Sequence, residues 1–148
     1  MRKLFLFIVL VLSGIVLPCA NASTPKTQQV KEINQEQFKS LVGAYNKGFD
    51  GFNMVAKKPV VLDIYATWCG PSRRLSPILN ELATEYSGKV DFYKIDLDKN
   101  RELGEAFGVQ SIPMVIFFPV KGKPQYIMGL YPKKELKVVI DYMFFTKK

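Results

Sequence analysis

The sequence contains no histidine and only two cysteines among its 148 residues. Without histidine, Ser–His and Cys–His catalysis are excluded, and the commonest ligand of transition metals is missing. Two cysteines are too few for a structural zinc site with cysteine ligands, and they exclude a small fold held by several disulfides. We therefore expect an apolar core to stabilise the chain, with no bound metal and no cofactor.

Only the start of the chain carries a long apolar run, over residues 4–17. Two basic residues precede this run, and the small-x-small cleavage pattern of residues 20–22 follows it. The run is short for a membrane span, so residues 1–22 are predicted to be a secretory signal peptide of an exported, periplasmic protein. A lipid anchor on Cys19 is the alternative, and Pro18 disfavours it because such signals usually carry a small residue there.

Basic residues outnumber acidic ones by 21 to 13, which gives a formal net charge of +8, or +6 without the two basic residues of the signal. The lysines are scattered and the aromatic residues lie within apolar runs, so a solvated surface is predicted in preference to nucleic-acid binding. The remaining length suits one domain. We expect a tail or edge strand over residues 23–33 and the folded domain over residues 34–148.

Strand and helix patterns alternate along this domain. Residues 60–65 and 114–118 are continuous apolar runs typical of buried strands, and residues 89–96 alternate as a strand does. Residues 125–128 are predicted to return as an antiparallel hairpin, whereas residues 45–58 are predicted to be a loop or irregular helix. Helical patterns begin at Asn34, near Leu75, at Asp98 or Asn100, and at Pro132. This order predicts an α/β fold with a central mixed β-sheet flanked by helices.

The residues that carry chemistry are Trp68-Cys69-Gly70-Pro71-Ser72. The strand pattern over residues 60–65 ends just before them and a helical pattern follows, so Cys69 lies at a strand-to-helix corner. Backbone N–H groups at a helix start lack intrahelical partners, and the helix dipole adds positive potential that stabilises a thiolate. Cys69 is therefore the predicted nucleophile, in preference to an inert buried cysteine.

This motif resembles the active site of the thioredoxin family, in which a second cysteine would stand where this chain has Ser72. Several surrounding features also resemble recurrent features of that family in the same chain order. They are Asp63, Pro77, Ser111-Ile112-Pro113 and Gly129. The resemblance runs from about Asn34 to the C-terminus. It implies a thioredoxin fold and a thiol–disulfide oxidoreductase that acts on disulfide-containing proteins.

The resemblance also implies roles for the neighbours of Cys69. Asp63 would be a buried proton acceptor beneath the active site, with Lys94 beside it; a satisfied structural aspartate is the alternative. The bond between Ile112 and Pro113 would be cis and face Cys69, whereas a plain strand-edge proline is the alternative. An apolar surface around the thiol would bind an extended polypeptide. It would comprise Trp68, Gly70, Pro71, Ile112, Pro113 and Gly129.

Ser72 decides how far the reaction can proceed. Cys69 can attack a substrate disulfide and form a mixed disulfide, but a serine hydroxyl cannot then attack that bond as a second cysteine would. The complex is therefore predicted to stall. Serine is almost isosteric with cysteine, which favours an engineered Cys→Ser change at position 72 in a Cys-Gly-Pro-Cys enzyme. A natural monothiol protein is the competing interpretation.

The predicted function is that of an exported protein disulfide reductase, because the Gly70-Pro71 pair resembles reducing members of the family. Outside the inner membrane, the reducing equivalents must be brought in across that membrane, which implies a membrane electron donor as a partner. Two alternatives stay open. One is a redox-inactive binding module, and the other is a monothiol isomerase in which the substrate's own thiol resolves the intermediate.

Overall fold

A computed structural model describes residues 28–46 and 48–146. The predicted signal peptide and Cys19 lie outside the described residues. The strands are β1 (Lys31–Glu32), β2 (Gly43–Tyr45), β3 (Phe52–Met54), β4 (Val60–Tyr65), β5 (Asp91–Asp96), β6 (Met114–Phe118) and β7 (Gln125–Met128). The helices are α1 (Gln35–Leu41), α2 (Gly70–Glu85), α3 (Arg101–Ala106) and α4 (Lys133–Phe145). No helix in these two ranges is both long and apolar enough to cross a bilayer.

Five of these strands form a sheet in the order β1-β5-β4-β6-β7. The central strand β4 runs parallel to β5 and antiparallel to β6. At the edges, β1 runs parallel to β5 and β7 antiparallel to β6. The predicted α/β fold with a central mixed sheet is thus confirmed, and residues 31–32 form one edge of it.

Helices cover both faces of the sheet, which explains why β4 is apolar on both faces except at Asp63. Val60, Leu62 and Ile64 pack in one core cluster with residues of α1 and α3. Val61 packs in the other cluster with residues of α2 and α4. Since successive side chains of a strand point to opposite faces, Asp63 shares the face of Val61. The buried carboxyl of Asp63 therefore lies on the face that α2 covers.

Residues 45–58 were predicted to be a loop or irregular helix, and this prediction is wrong for the strand residues of the range. Tyr45 and Phe52–Met54 belong to an antiparallel hairpin of β2 and β3, in which Tyr45 pairs with Phe52. Residues 48–51 form its turn, and residues 55–58 lie outside any strand or helix. Each strand has three residues, too few to show an alternating pattern. The hairpin is held by tertiary packing, because the Phe52 ring lies 4.6 Å from that of Phe118 and 6.1 Å from that of Phe38.

A capping box fixes the start of α1, as the sequence pattern predicted. The Gln37 N–H donates to Asn34 Oδ1 at 2.8 Å, and the Asn34 N–H donates to Gln37 Oε1 at 3.0 Å. We expect Asn34→Ala to lower the free energy of unfolding by about 1 kcal/mol, because one N–H of the first turn loses its acceptor. Urea unfolding measures this change, and Asn34→Asp, which keeps the acceptor, is the control. Equal stability of Asn34→Ala and the parent would contradict the assignment.

Candidate active site

Cys69 occupies the N-cap position of α2, directly after the turn that follows β4. Its side chain is 7% exposed, and its thiol donates to the carbonyl oxygen of Ile112 at 3.6 Å. Pro71 lies in the first turn of α2, where a missing N–H removes no intrahelical hydrogen bond. The thiol is therefore held at the helix N-terminus and against the loop that leads into β6.

That loop contains a cis peptide bond between Ile112 and Pro113, as the resemblance implied. Pro113 is buried, and its carbonyl oxygen accepts the N–H of Gly129 at 2.8 Å. Gly129 has a φ of 103°, in the left-handed region that favours glycine. Three segments that are distant in sequence thus meet beside Cys69: the start of α2, the loop before β6, and the end of β7.

Trp68 is the most exposed residue of this surface, with 67% of its side chain accessible. Its Nε1 donates to Asp98 Oδ2 at 2.8 Å, which fixes the orientation of the ring. Gly70, Pro71 and Ile112 are half-buried beside it. The sequence-predicted surface residues therefore lie on the segments that meet at Cys69.

Three further residues of this surface were not among the site residues predicted from the sequence. Met128 and Leu130 flank Gly129 and are exposed. Asp98 follows the end of β5, which is parallel to β4, so both strands deliver their following residues to the same edge of the sheet. That rule could have placed Asp98 near Trp68. The side chains next to Gly129 gave no comparable signal, because their placement depends on the hairpin of β6 and β7.

Asp63 is almost fully buried, and its Oδ1 has no hydrogen-bond partner within the described residues. Burial raises the pKa of Asp63 to about 7, although the positive charge of Lys94 acts in the opposite direction. The two residues are partners in the register of β4 and β5, so Lys94 is placed beside Asp63. At neutral pH the carboxyl is consequently able to hold or release a proton.

Lys94 is nevertheless engaged elsewhere. Its Nζ lies 3.7 Å from Glu32 Oε2 and 5.1 Å from the centroid of the Tyr65 ring, whose hydroxyl donates to Glu32 at 3.0 Å. No ion pair joins Lys94 to Asp63 in the part of the chain that is described. Burial and the bond to Glu32 raise the pKa of the Tyr65 phenol. Glu32, which was not predicted as a site residue, therefore draws the ammonium towards the sheet edge.

Ser72 lies in the first turn of α2, three residues after Cys69, and is buried. Its hydroxyl oxygen has no hydrogen-bond partner among the described residues. A cysteine at this position would lose no hydrogen bond and would differ little in size. Over the same residues, no group of three or more cysteine, histidine or acidic side chains could hold a metal ion.

The sheet topology, the cysteine at the start of α2 and the cis-proline opposite it define the class of this protein: a thioredoxin-fold protein with a cysteine at a helix N-terminus. A crystal structure of chloroplastic thioredoxin z has the same fold. The two structures superpose with a TM-score of 0.65 over 78% of this chain and 95% of the chain of thioredoxin z, at 24% sequence identity.

Sequence comparisons identify the family to which the chain belongs. The family model for thioredoxin matches residues 29–142. The thioredoxin of Borreliella burgdorferi is 41% identical over 112 residues, which cover 76% of this chain and 95% of that protein. An M-type chloroplastic thioredoxin of Zea mays is 31% identical over 140 residues, covering 89% and 84%. The chain belongs to the thioredoxin family, whose members are thiol–disulfide oxidoreductases acting on disulfide-containing proteins.

Proposed function

We propose that this protein is an exported thiol–disulfide oxidoreductase that attacks protein disulfides through Cys69 and keeps them as mixed disulfides because position 72 is serine. The observation that carries this proposal is the position of the Cys69 sulfur, at the N-terminus of α2 and 3.6 Å from the carbonyl that precedes the cis-proline. A helix N-terminus favours the thiolate form, which is the attacking species in disulfide exchange.

The first step is a balanced exchange. The Cys69 thiolate attacks one sulfur of a substrate disulfide, a new sulfur–sulfur bond forms to Cys69, and the other substrate sulfur leaves as a thiolate. Reduction of the substrate is complete only when a second thiolate attacks the mixed disulfide. Ser72 cannot supply that thiolate, so the second step requires a thiol of the substrate or of an external donor.

Substrate binding is assigned to the apolar surface around the thiol. Trp68, Met128 and Leu130 are exposed there, and the buried Cys69 lies among them. Exposed apolar side chains beside an accessible backbone suit an extended polypeptide better than a small polar molecule. The substrates are therefore disulfide-containing proteins whose chain is extended near the disulfide.

The proposal also includes export of the protein and reduction, not oxidation, of its substrates. The apolar run over residues 4–17 and the cleavage pattern at residues 20–22 support export to the periplasm, with a lipid anchor on Cys19 as the alternative. The Gly70-Pro71 pair supports the reducing direction. A periplasmic reductase needs electrons from the cytoplasm, so a membrane protein is proposed as the donor that regenerates the Cys69 thiol.

Trapping of a substrate tests the first step. We expect the reduced protein, mixed with insulin, to form an adduct through Cys69 that survives a non-reducing gel and is released by dithiothreitol. Mass spectrometry of the adduct locates the bond. Cys69→Ala should form no adduct, and Ser72→Cys should form one only transiently. Absence of the adduct under conditions in which Ser72→Cys reduces insulin would contradict the proposal.

Ser72 also supports a second candidate function, a binding module that uses the same surface without redox chemistry. The two functions differ in their dependence on the thiol. Alkylation of Cys69 would leave partner binding unchanged in a binding module, whereas it would abolish the covalent adduct of the oxidoreductase.

Reactivation of a scrambled disulfide protein by the unmodified chain would instead support a monothiol isomerase.

A further inference from the structure

The end of the sheet remote from Cys69 presents a second distinctive surface. β4 and β5 begin at this end and β6 ends there, since Val60 is the register partner of both Asp91 and Phe118. Cys69 follows the opposite end of β4. Six residues of strand separate the two ends by about 20 Å. We call the remote end the distal surface, and it comprises Lys57, Lys58, Lys89, Val120, Lys121, Lys123, Tyr142 and Phe145.

Three apolar side chains of the distal surface are accessible to solvent. Tyr142 is 59% exposed, Phe145 47% and Val120 43%. Tyr142 and Val120 also line a cleft of about 740 Å³ between the loop after β6 and the last turns of α4, together with Pro59 and Met143. Lys121 and Lys123 line the same cleft. Apolar side chains and lysine residues therefore line the same cleft.

The charge of the distal surface is positive. Its carboxylates are engaged within the protein, because Asp91 pairs with Lys58 at 3.2 Å and Asp50 with Lys123 at 3.0 Å. Asp141 accepts a hydrogen bond from the Tyr86 hydroxyl. Within the described ranges, three lysines of the surface have no carboxylate within ion-pair distance. These are Lys57, Lys89 and Lys121.

The N-terminal segment enters the folded domain at the same end. The Thr84 hydroxyl, close to the end of α2, donates to the carbonyl oxygen of Gln28 at 3.3 Å. Because α2 starts beside Cys69 and runs to Glu85, its last turn lies towards the distal end. Gln28 therefore lies near the distal surface.

We propose that the distal surface binds the headgroup region of an anionic lipid bilayer. Lysines attract anionic lipids, and aromatic side chains beside them insert at the boundary between headgroups and acyl chains. A second copy of this chain is disfavoured as the occupant, because its like charges would repel. The apolar side chains come from a loop and a helix end among lysines, whereas a protein interface has an apolar centre depleted of charge.

Binding at the distal surface would leave Cys69 on the side of the protein that faces away from the membrane. Protein substrates could then reach the thiol while the domain stays at the bilayer. The inference does not depend on the chemistry of Cys69 or Ser72, so a failure of the oxidoreductase proposal would leave it unaffected.

Tryptophan fluorescence distinguishes the two ends, because Trp68 is the only tryptophan and lies on the Cys69 side. The reporter variant carries Trp68→Phe and Tyr142→Trp, and the parent chain is the matched control. Both are mixed with vesicles of phosphatidylglycerol or phosphatidylcholine whose acyl chains are brominated, so that a tryptophan at the bilayer is quenched. We expect at least about twofold quenching of the tryptophan at position 142 by phosphatidylglycerol alone, with little quenching of Trp68.

Charge reversal then tests which residues cause the binding. Lys121→Glu in the reporter variant should weaken its affinity for phosphatidylglycerol vesicles by about tenfold, whereas Lys31→Glu, on the edge strand β1, should have little effect. The proposal would be overturned by equal quenching from both lipids, by quenching unchanged by Lys121→Glu, or by no quenching of the tryptophan at position 142. Binding of polyglutamate without any lipid quenching would overturn it in favour of an acidic polypeptide partner.

Discussion

Replacing Ser72 with cysteine is expected to yield a protein that reduces disulfides repeatedly, because the proposed function has the Ser72 form stall after a single exchange. The new thiol would lie in the first turn of α2, three residues after Cys69, and could attack the mixed disulfide that Cys69 forms. We expect the rate of insulin reduction with dithiothreitol to rise on the order of a hundredfold, since the resolving step becomes intramolecular. Turbidity of precipitating insulin chains measures this rate.

Ser72→Ala is the matched control for this experiment. The serine hydroxyl has no hydrogen-bond partner in the described part of the protein, so alanine removes it without breaking a bond. Ser72→Ala should show the same slow rate as the parent. If Ser72→Cys were as inactive as Ser72→Ala although both are folded, the assignment of Cys69 as a catalytic nucleophile would fail and the binding module would be favoured.

Replacing Asp63 with asparagine is expected to change how stability depends on pH. Burial raises the pKa of Asp63 to about 7, far above the value of about 3.9 for an exposed aspartate. Between these values the folded protein keeps a proton that the unfolded chain has lost, so stability falls as the pH rises through this window. Above about pH 7 the penalty is constant and is on the order of 4 kcal/mol.

The amide side chain of Asp63→Asn is neutral at every pH, so the stability of this variant should stay nearly constant where that of the parent falls. We therefore expect Asp63→Asn to be more stable than the parent at about pH 8, by up to roughly 4 kcal/mol, and similar to it at about pH 4. Urea unfolding across this range measures the difference. Asp50→Asn, at an exposed position, is the control and should follow the parent curve. Parallel curves for Asp63→Asn and the parent would refute the effect.

The position of Glu32 gives the buried carboxyl its electrostatic setting. Lys94 is beside Asp63 in strand register, but its ammonium lies towards Glu32 and over the Tyr65 ring. An ammonium that paired directly with Asp63 would stabilise the carboxylate and lower its pKa. Because Glu32 and Tyr65 hold it at the sheet edge, burial outweighs the attraction and the carboxyl keeps its proton to near neutral pH.

Much of this architecture was predictable from local patterns. Continuous apolar runs showed the buried strands β4 and β6, and the Asn34 capping box marked the start of α1. Trp68-Cys69-Gly70-Pro71 placed the thiol between a strand and a helix, and the resemblance implied the cis bond before Pro113. For the strands, the cap and the corner, neighbours in sequence contain the information, since periodicity, caps and turn residues act over a few positions. The cis bond was available only through the resemblance.

The tertiary structure alone decided the features that join distant segments. The sequence by itself determined the order of the longer strands and helices, the place of Cys69 at a helix start and the presence of serine at position 72. It did not reveal the hairpin of β2 and β3, the bond of Glu32 with Lys94, or the distal surface around Tyr142. Strands of two or three residues have no readable period, and ion pairs between separate strands depend on register. A surface assembled from a loop and a helix end exists only once the chain has packed, because packing and not local propensity brings those side chains together.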